Sequence, residues 1–245
     1  MKLKRNTPKN KKSQKEILLQ QVDEPVKESA EQEEFQSFFA EVLTKLPNKT
    51  AGIIRRSFEK SKHTAEKIQA KSRTQFDAVF SEFLMGVDDA TKKKAHRIIH
   101  AASLTAAIIG CSPIPFSDAI LLVPVQMTMM ARLHKLFGQS WVEGIAKSIS
   151  KELVVVSLGR SAVGNIIKFV PGVGTIAGAS INAGVASAIT ESLGWVTVKM
   201  LNDGEDIFEQ AMSFKGQYHT LFKALKKHEA NHLKIYTARK NVRIG

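Results

Sequence analysis

Apolar residues first fall into a helical rhythm at Phe35. Phe35, Phe38, Phe39, Val42 and Leu46 stand at i, i+3, i+4, i+7 and i+11, one face of a helix that Pro47 ends. A longer helix is predicted from Thr50 to about Met85, with Ile53, Ile54, Phe58, Ile68, Phe76, Val79, Phe80, Phe83 and Leu84 as its apolar members. Arg55, Arg56, Lys60, Lys62, Lys67, Lys71 and Arg73 fill much of the rest. Gly86 suits a helix stop and Asp88 the cap of the next helix. No segment alternates with the period of a half-buried strand, and the one β-branched run, Leu153-Val154-Val155-Val156, is short. The fold class is all-α.

The pattern changes in the middle of the chain. From Ala101 to Ala131 the only charge is Asp118. A helix ending near Cys111 is broken by Ser112-Pro113-Ile114-Pro115-Phe116-Ser117-Asp118, because two prolines this close cannot continue a helix. Ser117 can cap the next helix, which is expected to run through a kink at Pro124 to Phe137, with Gly138 as its stop. Ser140-Trp141-Val142-Glu143 reads as a capping box. A second uncharged stretch of 22 residues, Phe169 to Thr190, opens on the turn Pro171-Gly172-Val173-Gly174. Small residues then recur four apart at Gly174/Gly178, Ser180/Gly184 and Gly184/Ala188, a spacing that lets helix backbones approach closely. A basic amphipathic helix is predicted from Gln217 to Lys240, with Tyr218, Leu221, Phe222, Leu225, Leu233 and Tyr236 broadly on one side. The architecture expected is a helical bundle with two apolar hairpins and this C-terminal helix. Its segments are a disordered charged arm (1–32), amphipathic helices (33–94), an apolar helical domain (95–202) and a basic C-terminal segment (203–245).

Charge adds direction to this picture. The chain of 245 residues carries a net charge of +13. Residues 1–20 hold seven Lys/Arg and one Glu, and residues 215–245 hold eight Lys/Arg and one Glu. The stretch between them balances at 21 against 21, so the excess lies wholly at the two ends. Basic ends attract anionic partners such as lipid headgroups, nucleic acid or an acidic protein surface. The single Cys111 excludes an internal disulfide and fits a reducing compartment. Ile17-Leu18-Leu19 is too short for the core of a signal peptide, which predicts a cytoplasmic N-terminus.

Crossing a bilayer takes about 20 mostly apolar helical residues. Ala101–Cys111 and Ala119–Ala131 are each too short, although joined through the Pro-rich turn they form a candidate re-entrant hairpin. Phe169–Thr190 has the length but is rich in Gly, Ser, Asn and Thr. The alternative is a bundle in which these helices are core. Between the apolar regions, Arg132, Lys135, Lys147, Lys151, Arg160 and Lys168 outnumber Glu143 and Glu152, while the two Pro-containing turns lack Lys and Arg. Hairpins entering from one side would leave all the cations inside.

Candidate chemistry is thin. His228-Glu229-Ala230-Asn231-His232 matches H-E-x-x-H, the zinc-protease helix. No His, Asp, Glu or Cys follows as a third ligand, so a metal site is not predicted. His96 and His100 share the i, i+4 spacing without a carboxylate or Cys cluster and suit a helix surface or interface. Gly172-x-Gly174-x-x-x-Gly178 follows no strand and no Gly-Lys-Ser/Thr occurs, so a turn before a close-packed helix replaces a phosphate loop. Asp118 reads as a helix cap. The basic arm interleaves no aromatic residues, which makes nucleic acid an unlikely partner.

Ile98-Ile99-His100-Ala101-Ala102, Pro113 to Ala119, Gln126-Met127 and Leu136-Phe137-Gly138 resemble the first half of a domain of unknown function. That domain follows the G domain of bacterial Era-like GTPases and is similar to the C-terminal part of the YcjF family of inner-membrane proteins. Phe169-Val170-Pro171-Gly172-Val173-Gly174, and Ala183 to Gly194 with Thr190 and Leu193-Gly194, resemble its second half. The likeness covers about residues 95 to 200. It implies a helical, membrane-associated module that works with a GTPase. The chain itself has neither a Walker A sequence nor Asn-Lys-x-Asp, so hydrolysis would belong to a separate polypeptide.

The expectation is a non-enzymatic, membrane-associated scaffold or adaptor without cofactor or metal, on the cytoplasmic side of a bacterial inner membrane. Its partners would be an anionic membrane surface, a separate GTPase and further copies of itself. Ile114, Phe116, Pro171, Lys223, Lys226 and Lys227 are the candidate contacts, and Pro113, Pro115, Asp118, Gly172 and Gly174 shape the turns. Competing readings are a soluble helical interaction module, a pore-forming or membrane-disrupting helical protein, and nucleic-acid binding through the basic tails.

Overall fold

A computed structural model describes residues 30–114, 119–139, 141, 179–205 and 220–221. Every regular element among them is helical. In chain order these are α1 (30–45), α2 (Asn48–Phe83), α3 (Asp89–Cys111), a 3₁₀ turn (Ala119–Leu122), α4 (Val123–Leu136) and α5 (Ala179–Asn202). The chain is an all-α bundle.

Local chemistry sets most of the boundaries. Pro47 separates α1 from α2, since its ring fits just before a helix and not within one. Gly86 takes φ +97°, a conformation open to glycine, and turns the chain out of α2. Asp88 then caps α3: its Oδ1 accepts from the backbone N–H groups of Ala90 and Thr91, both at 3.0 Å. Those bonds hold its carboxyl below the usual range, the Thr91 side chain contributing most. The α3 helix ends at Cys111, and Gly138 at φ +70° terminates α4.

Two boundaries differ from the periodicity. The first helix is already formed at residue 30, ahead of Phe35, because Glu34 has a partner on α4. Pro124 does not kink a helix running from Ser117. Instead, a 3₁₀ turn occupies Ala119–Leu122 and Pro124 lies in the first turn of α4, where its missing N–H leaves no hydrogen bond unmade.

Helix α3 is central and packs along α5, with α2 and α4 on its other sides. Its residues Ala101 to Ile109 are all buried. From α4 come Val125, Met129, Met130 and Leu133, and from α5 Leu193, Trp195, Val196 and Met200. Ala101–Cys111 and most of α4, which as a sequence also fit a lipid-entering hairpin, therefore bury their apolar side chains against other helices. No helix among the described residues is long and apolar enough to cross a membrane.

Helix α1 closes the bundle. Phe35, Phe38, Val42, Leu43 and Leu46 enter the common core, while Phe39 packs in a tilted pair with Phe58 of α2 at 4.9 Å between ring centroids. Above this seam Arg132 of α4 donates to Glu34 at 2.6 Å and to Glu41 at 2.7 Å, and its guanidinium lies 5.1 Å from the Phe38 ring centroid. Lys45 bridges Glu41 at 2.8 Å and Thr128 at 2.9 Å. Burial pushes the Glu41 carboxyl up, but hydrogen bonds and charge from Lys45 and Arg132 outweigh it and hold the pKa below the ordinary value. Such a group stabilises the fold fully above its unfolded pKa and loses that contribution as pH falls through its lower folded value. Acid titration followed by circular dichroism is expected to show this loss in the native chain, with a shallower decline in Glu41→Gln. Identical acid profiles would mean that the clasp contributes nothing.

Candidate functional site

The described core holds more polar side chains than a plain apolar bundle. Ser103, Thr105, Thr128, Thr190 and Thr197 are each fully buried. Some return their hydroxyl to their own helix: Thr105 donates to the Ala101 carbonyl and Thr197 to the Leu193 carbonyl, both at 2.8 Å. Others join helices. Gln69 of α2 donates its amide to Ser103 Oγ and to the His100 carbonyl, and Ser57 meets Ser112 at 3.3 Å. Gln126 Oε1, Thr190 Oγ1 and Trp195 Nε1 are buried without a hydrogen-bond partner among the described residues. Small and hydroxyl side chains of this kind let helices approach closely.

Among Gly52, Gly86, Gly138, Gly194 and Gly204, the tightest surroundings are those of Gly194. A Cβ there would lie 2.6 Å from Ile99 Cγ1 and 3.0 Å from both Ile99 Cδ1 and Met129 Sδ. This glycine therefore permits the close contact of α5 with α3 and α4 at this level. The small-residue spacing pointed to the right helix, but to Gly184 and its neighbours at four-residue intervals.

The residues singled out in the sequence divide in two. Ile114 is partly buried against the core and Pro113 is exposed just before it. Pro115, Phe116, Asp118, Pro171, Gly172, Gly174, Lys223, Lys226 and Lys227 lie outside the described residues, as do His228 and His232. His96 and His100 stack with centroids 6.0 Å apart, and His96 also faces Trp195 at 5.8 Å. Among the described residues no three His, Cys, Asp or Glu side chains gather where a metal could bind. Burial pushes the Cys111 thiol up to about 11, so it stays protonated at neutral pH and is a poor nucleophile.

Arg132 was missed by pattern reasoning. Its acidic partners lie 91 and 98 positions earlier, and no local spacing connects them.

Comparison with known proteins places this core in context. A family model described as "Domain of unknown function (DUF697)" matches residues 75–227, which take in the C-terminal end of α2 and all of α3 to α5. Magnetosome membrane protein 22 of Magnetospirillum gryphiswaldense is 29% identical over 118 residues, covering 46% of this chain and 60% of that protein. No solved structure matches.

Proposed function

The chain belongs to the DUF697 family, and on that footing we propose that it is a non-enzymatic scaffold or adaptor held at an anionic membrane surface, where it works with a separate GTPase. The observation that carries this reading is the segregation of charge. Residues 21–214 balance, and the whole excess of +13 lies in the first 20 and last 31 residues. Each cation near an anionic surface contributes about 1 kcal/mol. Seven and eight Lys/Arg at the two ends therefore suffice for peripheral attachment. A relative whose name makes it a membrane protein supports the location.

The bundle suits a scaffold. Its apolar helices are occupied with one another, and the proposal therefore places lipid contact at charged surfaces instead of at a hairpin from α3 and α4. The resemblance of residues 95–200 to the module that follows a G domain supports a GTPase partner on the cytoplasmic face of the inner membrane.

Fractionation of cells expressing the chain at low level tests this. The protein is expected in the membrane pellet and is released by a high-salt wash. Recovery wholly in the soluble fraction overturns the membrane reading. Resistance to salt and alkaline carbonate overturns the peripheral attachment and points to an embedded segment. Capture of a GTPase by the purified chain, dependent on the bound nucleotide, is the expected result for the adaptor role. Its absence leaves a scaffold without that partner.

A further inference from the structure

Helix α2 has a face that no other described helix covers. At about 100° per residue, positions 49, 56, 60, 63 and 67 fall within an arc of about 60° and extend over about 27 Å. They are Lys49, Arg56, Lys60, His63 and Lys67, and all five are exposed. Ala51, Ile54, Ser61, Ala65 and Ile68, on the opposite side, are buried in the core. The row therefore points directly away from the bundle.

These cations are not neutralised at close range. Among the described residues none of the four Lys/Arg in the row has a salt-bridge partner, whereas Lys62 on the flank pairs with Glu66 at 3.4 Å. Exposed Glu59 and Glu66 stand to one side of the row and not within it. The row also lies wholly before residues 75–227, so the family domain does not account for it.

We propose that this outward face of α2 is the surface by which the folded bundle lies on an anionic lipid bilayer. A single straight row of cations on a convex helix meets a charged plane along its whole length. Single-stranded nucleic acid is met by stacking aromatic side chains, and the row contains no Phe, Tyr or Trp. The inference rests on the membrane reading above and adds an orientation to it: α2 against the headgroups, with the opposite side of the bundle turned to the cytoplasm.

The test uses the full chain and sedimentation with vesicles of phosphatidylcholine, with or without phosphatidylglycerol. The triple variant Arg56→Gln, Lys60→Gln, Lys67→Gln is compared with the charge-matched triple Lys93→Gln, Lys94→Gln, Lys135→Gln, whose sites are also exposed. At about fivefold per cation, the α2 triple is expected to bind phosphatidylglycerol vesicles about 100-fold more weakly. The matched triple should change little. Thermal melts check that both variants fold; should the α2 triple melt early, Lys60→Glu is compared with Lys94→Glu in the same assay. Native protein that binds the acidic vesicles, with equal weakening or none in the two triples, overturns the α2 surface and leaves membrane attachment intact. Native protein that binds no vesicle overturns both. Tighter binding to duplex DNA than to the acidic vesicles, lost in the α2 triple, assigns the row to nucleic acid and overturns the lipid assignment.

Discussion

Phe38→Ala is expected to destabilise the bundle by about 3–5 kcal/mol, the range for removing a large aromatic side chain from a packed site. Phe38 is fully buried, and the Arg132 guanidinium covers its ring at 5.1 Å. Removing the ring opens a cavity under α1 and takes away the surface on which Arg132 rests. Other side chains of this seam are held by contacts of their own: Phe35 and Phe39 stack on one another at 5.7 Å, and Arg132 is tied to two carboxylates. Collapse into the space is therefore limited, which favours the upper part of the range. Urea unfolding followed by circular dichroism measures the loss. One cooperative transition at lower urea is expected, because α1 shares its core with α2, α3 and α4. A separate early transition, with proteolysis confined to residues 30–47, would instead mean that α1 docks as an independent flap.

The second large effect lies at the opposite seam. Gly194→Val is expected to cost about 3 kcal/mol, and Gly194→Ala roughly half as much. Alanine is the better helix former by about 1 kcal/mol, so a glycine inside a helix ordinarily invites replacement. Here the clash decides the sign. The new Cβ would come 2.6 Å from Ile99 Cγ1, an atom bonded to the branched Cβ of a residue that is only 1% exposed. Ile99 cannot swing away, so α5 must move off α3. Thermal denaturation of the single variants and of Gly194→Ala combined with Ile99→Ala checks this. The double variant should lose less than the sum of the singles, because the truncated Ile99 makes room for the added methyl. Strict additivity, or a stabilising Gly194→Ala, would show that the two helices do not meet there.

Both effects lie where short-range patterns are silent. The Phe35 to Leu46 spacing shows that α1 has an apolar face but not what covers it. Arg132 looks like one more cation after an apolar run, and only folding brings Glu34 and Glu41 to it. Small-residue spacing in α5 marks a helix capable of close approach, and the identity of the contact at Gly194 depends on Ile99 and Met129, 95 and 65 positions away. The α2 row was visible as a count of basic residues between Arg55 and Arg73. Its alignment into one unpaired outward face became apparent only once the buried side of the helix was known.

The amino-acid sequence by itself determined the helical class, the ends of α2 and α3, the stop of α4 at Gly138, the capping role of Asp88 and the placement of excess charge at the two ends. These follow from backbone chemistry acting over a few residues: a proline without an N–H, a glycine free to take positive φ, a carboxylate beside unpaired helix N–H groups. Tertiary structure decided that α3 and α4 form core, that α1 is fastened by Arg132, and that Gly194 meets Ile99 and Met129. An apolar helix satisfies its burial equally well against lipid or against another helix. Its sequence is the same in both cases, and only the partner surface that folding supplies distinguishes them.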